Sequence, residues 1–287
     1  MPTTSTLLVT DPARPRWDGD GPRPLPIHFW EPDGPGPHPV VLLSHGTGGR
    51  ASDLAWLAET LSRAGFLVAA TDHHGNTSAG DYLPEGFAFV WERPTDLSRV
   101  LDVVLARGDA DPARVGAAGF SLGGYTTIAL LGGRIDPVVA TLVLAGAAPL
   151  PPLPEYPDLV DALRARHDEA EIAAPIAAGA GSRRDARVRA GFAIAPSIGA
   201  LVDPASLAEI TAPLALRWGD ADDNAVPEDN ALAYLAGVPT ASGHSVGSDI
   251  GHYVFLAASE DPGDVRGTVA QDAVAFFTRE LASSAKM

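Results

Sequence analysis

The residue types best suited to chemistry meet in Gly119-Phe120-Ser121-Leu122-Gly123-Gly124. A strand-like run, Arg114 to Ala118, precedes them, and a helix-like run, Tyr125 to Leu131, follows. Glycines on both sides allow a sharp, strained turn from strand to helix, an elbow, to pack tightly, and such a turn pushes the serine hydroxyl outward. There it stands beside the first amides of the helix, whose positive dipole end can face a developing oxyanion. A serine hydroxyl is a poor nucleophile at neutral pH. It needs a base within hydrogen-bond reach and a group that orients the base.

Three histidines follow Ser121: His167, His244 and His252. His167 lies in a charged helical segment, where a solvated role is expected. His252, in Gly251-His252-Tyr253-Val254-Phe255, occupies a Gly-flanked loop just before the closing helical region. It is preferred over His244, which sits in a similar Gly/Ser loop. For the acid, Trp218-Gly219-Asp220-Ala221-Asp222-Asp223-Asn224-Ala225-Val226-Pro227 directly follows a strand. An aspartate there can turn back, hold the histidine tautomer and stabilise the imidazolium. Asp222 fits the spacing from the preceding glycine and Asp223 the spacing to the following proline. Asp222 is preferred, with Asp223 as the alternate. The second oxyanion donor is expected from Ser44-His45-Gly46-Thr47-Gly48-Gly49, as the Thr47 amide partnered with that of Leu122. His45 and His73 lack metal-ligand spacing, so no metal is expected and structural hydrogen bonding is their predicted role.

These residues need a scaffold that brings distant loops to one edge. Ser5 to Thr10 and Pro24 to Trp30 read as strands separated by a turn-rich stretch. Val40 to Leu43 is unbroken apolar sequence, as in a strand buried on both faces of a parallel sheet. Leu54, Leu57 and Leu61 recur at helical spacing behind Ser52, a candidate N-cap. Phe66 to Ala70 is the next strand, Asp96 to Arg107 a helix, Arg187 to Ala195 and Leu214 to Trp218 further strands, and Val265 to Leu281 a closing helix. The alternation predicts an α/β fold with a doubly wound, mostly parallel sheet, antiparallel at its N-terminal edge. Residues 132–185 break the alternation and are expected to form a cap-like insertion after the elbow helix. Within them Val138 to Leu144 could instead be a strand, and Pro149 to Pro154 is proline-rich. Residues 1–287 are read as one domain.

Composition narrows the partners. The 287 residues carry 20 basic and 36 acidic side chains, a net charge of −16. That disfavours nucleic acid and anionic membranes. There is no cysteine, which excludes disulfides, thiolate catalysis and cysteine-bound zinc. No signal peptide or membrane-spanning run is evident, so a cytoplasmic location is the expectation. Nothing in the sequence speaks to oligomeric state.

Taken together, Ser44 to Gly49, Gly65 to Thr77, the elbow with Gly124-Tyr125, Arg93 to Ser98 and Gly251 to Leu256 resemble the bacterial α/β-hydrolases called dienelactone hydrolase-like. They are also similar to the plasma platelet-activating-factor acetylhydrolases. The resemblance implies the α/β-hydrolase fold and a serine hydrolase of esters, with Ser121 and His252 in the matching positions; the reading is of a cofactor-independent hydrolase acting on a small-molecule ester. Two departures stand out. True dienelactone hydrolases use a cysteine, and this chain has none. The acetylhydrolases take their acid after the preceding strand, where Gly191-Phe192-Ala193-Ile194-Ala195-Pro196 offers none. An acyltransferase or amidase with the same triad, or a non-catalytic binding relative, is the alternative.

Overall fold

The computed structural model describes residues 3–149 and 153–282. Met1 and Pro2, and Leu150, Pro151 and Pro152 of the proline-rich run, lie outside the described residues. The chain folds around one eight-stranded sheet in the order β1-β2-β4-β3-β5-β6-β7-β8. Its strands are β1 (Thr3–Pro15), β2 (Pro22–Glu31), β3 (His38–Ser44), β4 (Leu67–Thr71), β5 (Ala110–Phe120), β6 (Val188–Ile194), β7 (Leu214–Trp218) and β8 (Ala241–Ser245). β1 runs antiparallel to β2, and β2 to β4; every other pair is parallel. The doubly wound, mostly parallel sheet expected from the alternation is therefore present, antiparallel edge included.

Ten helices surround it among the described residues: α1 (Ala55–Arg63), α2 (Pro84–Ala88), α3 (Glu92–Ala106), α4 (Leu122–Leu131), α5 (Pro137–Leu144), α6 (Leu159–Arg166), α7 (Glu169–Gly179), α8 (Pro204–Ala208), α9 (Ala231–Gly237) and α10 (Val265–Glu280). The apolar run of β3 is split by the pleat, since successive side chains point to opposite faces. Val40 and Leu42 join the core that contains Leu97, Val100 and Ile128 of α3 and α4. Val41 and Leu43 join the core with Leu57, Leu61, Val269 and Phe277 of α1 and α10. Both faces of β3 are thus filled, and truncating Leu42 to Ala would cost roughly 2–5 kcal/mol.

Several local expectations need correction. β1 continues through Asp11 to Pro15, because the buried Asp11 caps that stretch by accepting from Ala13 N and Arg14 Nε. Ser52 is not an N-cap: it lies inside a 3₁₀ turn, Ala51–Leu54, whose start is held by Arg50 N donating to Asp53. The helix at Asp96 begins four residues earlier, at Glu92. β8, α2, α8 and α9 add to the elements read from the sequence. Val138 to Leu144 is helix, not strand: Asp136 accepts from the Val138 and Val139 amides and Pro137 occupies the first turn.

Three helices, α5 to α7, fill the connection between α4 and β6. The C-terminal end of α6 is tied to α2. His167 Nε2 and Arg166 Nε both bond Glu85 Oε1 of α2, at 2.6 and 2.8 Å, and the Glu85 side chain is only 1% exposed. His167 is therefore a fastener to a buried carboxylate rather than a solvated residue.

Candidate active site

Ser121 sits between β5 and α4 with φ 56° and ψ −119°, a strained conformation for a residue with a side chain. Packing enforces it. Ser121 N donates to Ile194 O of β6 and Ser197 N donates to Ser121 O. A side chain at Gly123 would strike the Ser44 carbonyl at the end of β3, so the elbow helix can approach the sheet only with glycine there.

Asp222 follows β7 and His252 follows β8, on two loops zipped together by backbone bonds. Asp220 N donates to Gly247 O and Ala221 N to Ile250 O. A side chain at Gly219 would collide with the Ile250 carbonyl, so the glycine permits this contact. The His252 ring packs on Phe120, with centroids 4.8 Å apart, and Trp56 Nε1 donates to Phe255 O to fix the turn beyond it.

The structure brings three of the sequence-predicted residues together. His252 Nδ1 donates to Asp222 Oδ2 at 2.7 Å, and Ser121 Oγ donates to His252 Nε2 at 3.0 Å. The Asn224 and Ala225 amides hold the other Asp222 oxygen at 3.0 and 2.7 Å. All three residues are at most 5% exposed. Asp223 lies one residue away but is exposed, and Asp220 receives Trp218 Nε1 instead. His244 is on β8, not in a loop, and faces Asp272 at the surface.

Thr47 and Leu122 both line the cavity in front of Ser121. Among the described residues neither amide has a hydrogen-bond partner, so both can donate to an incoming oxygen. The loop carrying Thr47 is wired from beneath. His73 N donates to His45 Nε2, which puts the His45 proton on Nδ1, and that proton goes to Gly46 O at 2.7 Å. Because Gly46 C=O and Thr47 N–H belong to one peptide, this bond polarises the amide in the direction an oxyanion needs. Asn76 Oδ1 accepts from Gly48 N at 2.6 Å, and the buried Arg93 donates to His45 O and to Ser44 Oγ. Burial and the Arg93 cation hold His45 well below the usual histidine range, and the same causes bring His73 down to about 4. Both imidazoles are therefore neutral at pH 7. Asn76 and Arg93 were missed as loop anchors by residue-level reading, since nothing local ties either to residues more than 25 positions away.

The cavity above this floor measures about 740 Å³ and is lined by Ser121 and His252, within the usual range for small-molecule sites. A family model, that of serine aminopeptidase, S33, matches residues 35–191. The chain belongs to this α/β-hydrolase family. The matched S33 segment runs from the turn before β3 through the elbow and into β6, and so contains Ser121, Thr47 and Leu122. Its fold is the α/β-hydrolase fold. No curated protein matches the chain. Among the described residues no three His, Asp or Glu side chains cluster as metal ligands, and no helix is long and apolar enough to cross a membrane.

Proposed function

We infer that this S33-family protein is a serine hydrolase that cleaves carboxylic esters through an acyl-enzyme. The observation that carries the reading is the hydrogen-bonded line from Asp222 through His252 to Ser121 Oγ, in the wall of a largely apolar cavity. His252 Nε2 takes the Ser121 proton as Oγ bonds to the ester carbonyl carbon. The carbonyl oxygen becomes an oxyanion held by the Thr47 and Leu122 amides. Collapse breaks the bond to the alcohol oxygen, which leaves with the proton from His252. Water then repeats the cycle: His252 removes its proton, the acyl–Oγ bond breaks, and Ser121 recovers a proton from His252. Asp222 orients the imidazole and steadies its cation. No step calls for a cofactor. Residues 132–185 act in this reading as a cap, supported by the α5 side chains that line the cavity.

The dienelactone hydrolase-like resemblance supports ester cleavage with serine in place of cysteine. The family's own description as serine aminopeptidase favours a second reading, hydrolysis of amides by the same residues, since fold and triad do not fix the leaving group. Labelling with a fluorophosphonate, followed by mass spectrometry of the modified peptide, tests the reading without choosing a substrate. The expected adduct is on Ser121 and is absent in Ser121→Ala. A folded protein that takes no label would overturn it. A panel pairing p-nitrophenyl esters with amino-acid anilides then separates ester from amide cleavage.

A further inference from the structure

The cavity is chemically two-sided. One wall belongs to the connection after α4: Ile135, and Val139, Ala140, Val143 and Leu144 on the inward face of α5. Four of these five are buried, Ala140 at 3% and Val143 at 4% exposure. The wall beside His252 is different, with Asn224 and Tyr253 joined by a hydrogen bond of 3.4 Å and Tyr253 43% exposed. Three carboxylates, Asp53, Glu155 and Asp229, also reach the cavity, while no arginine or lysine lines it among the described residues. Burial raises the Glu155 carboxyl above its ordinary range, against the opposing pull of the His252 imidazole.

These two walls orient an ester. The departing alcohol must receive its proton from His252 Nε2, so it leaves past the Asn224 and Tyr253 wall toward solvent. The acyl group is left with the dry wall under α5. A carboxylate on the acyl chain would meet apolar side chains or other carboxylates and find no cation, and an unpaired buried charge is strongly disfavoured.

We propose that the face of α5 bearing Val139, Ala140 and Val143 is an acyl-binding subsite for an uncharged chain of medium length, and that it discriminates against acyl groups carrying a negative charge. This rests on the ester-hydrolase reading given above. Each methylene moved from water into such a wall is worth about two- to fourfold in kcat/KM. Octanoate should therefore exceed acetate by at least about fiftyfold over six methylenes.

The test is a p-nitrophenyl ester series from acetate to decanoate on the full chain. It is joined by the p-nitrophenyl hemiester of adipic acid, and by methyl octanoate against octyl acetate. The subsite requires a rise toward octanoate, at least about tenfold slower cleavage of the adipate hemiester than of hexanoate, and preference for methyl octanoate over octyl acetate. Ala140→Phe, which pushes a ring into the cavity, should reduce the octanoate-to-acetate ratio at least about tenfold. Val143→Ala, which adds space, should move the optimum to longer chains and carries the test if the phenylalanine variant does not fold. Val138→Ser on the outward face of α5, 66% exposed, should leave the profile unchanged. A flat or falling series, a hemiester cleaved as fast as hexanoate, an octyl acetate preference, or a profile indifferent to both cavity variants would overturn the subsite. Fluorophosphonate labelling separates the levels of failure. A labelled Ser121 with a flat series overturns only the subsite, whereas no label and no ester turnover overturns the hydrolase reading.

Discussion

Arg93 is wholly enclosed at the start of α3, and its guanidinium donates to the carbonyl of His45 without any carboxylate in salt-bridge contact among the described residues. Its Nε and Nη1 have no partner there. Asp96, one turn on, spends its two oxygens on His73 and Arg14. A cation this poorly compensated is held at a cost, and burial lowers its pKa to about 9. It stays charged at pH 7, directly beneath the loop that carries Thr47.

Removing that cation should therefore disturb the loop more than the fold's core. Arg93→Met would strand His45 O, a penalty of about 1–3 kcal/mol, while Ser44 Oγ keeps its bond to His73 Nε2 at 3.0 Å. Loss of a whole oxyanion donor costs about 10²–10³ in kcat, so a displaced Thr47 amide should cost about 10- to 100-fold, with KM within about threefold. Arg93→Lys, which keeps the charge and one donor, should recover part of the loss. Steady-state kinetics of both variants would decide it. An Arg93→Met effect confined to KM, or to thermal stability, would remove the link to Thr47.

Asp222 and Asp223 are adjacent in sequence but not in surroundings. Asp222 is 3% exposed and accepts three hydrogen bonds, including that from His252. Asp223 points to solvent. Asp222→Asn should lower turnover by about 10⁴, as replacement of the equivalent aspartate does in serine proteases, whereas Asp223→Asn should stay within about threefold. Equal effects would mean that Asp222 is not the orienting acid.

How far the sequence could carry this picture depends on which interactions are local. The elbow, the apolar core strands and the loops holding Asp222 and His252 announce themselves within ten residues, through glycine placement and apolar runs. The Asp136-Pro137 pair also carried a local signal for the start of α5, and Asp203-Pro204 repeats it at α8, where Asp203 accepts from Ala205 N. The β-branched Val138 and Val139 suggested a strand, and the N-cap with proline in the first turn outweighed them. The choice between Asp222 and Asp223 was open for a different reason: it turns on burial, which spacing does not report. The loop wiring through Arg93, His73 and Asn76 joins β3, β4 and α3, so it becomes visible only once those elements are packed.

The clasp between α2 and the C-terminal end of α6 offers a separate test of the cap proposed for residues 132–185. Glu85 Oε1 receives both Arg166 and His167, while Oε2 is buried without a partner. Glu85→Gln removes the charge that holds both. Breaking a buried ion pair from one side costs about 3–5 kcal/mol when the partners stay buried. Here the Arg166 side chain is 42% exposed and can turn to water, so a smaller loss is expected. Hydrogen exchange should quicken in residues 159–179 and leave β3 to β6 unchanged. Uniform protection across the chain would show that the clasp does not hold the segment.

Acid stability follows from the neutral histidines beneath the loop. His73 is fully buried and its folded pKa, about 4, lies below the ordinary 6.5, mainly through burial and the nearby Arg93. Below pH 6.5 the unfolded chain takes up a proton that the folded protein refuses, so unfolding becomes easier as pH falls. The contribution is complete above pH 6.5 and is lost progressively down to about pH 4, amounting to about 3 kcal/mol at 1.36 kcal/mol per unit. His45, displaced in the same direction, adds to the slope. Denaturant titrations at pH 7.5, 6 and 5 should show the midpoint falling across that window, and His73→Asn should flatten the fall even if it lowers the plateau. A midpoint independent of pH in the wild type, or an unchanged slope in His73→Asn, would mean that the imidazole is protonated in the folded protein and that Asp96 compensates it fully.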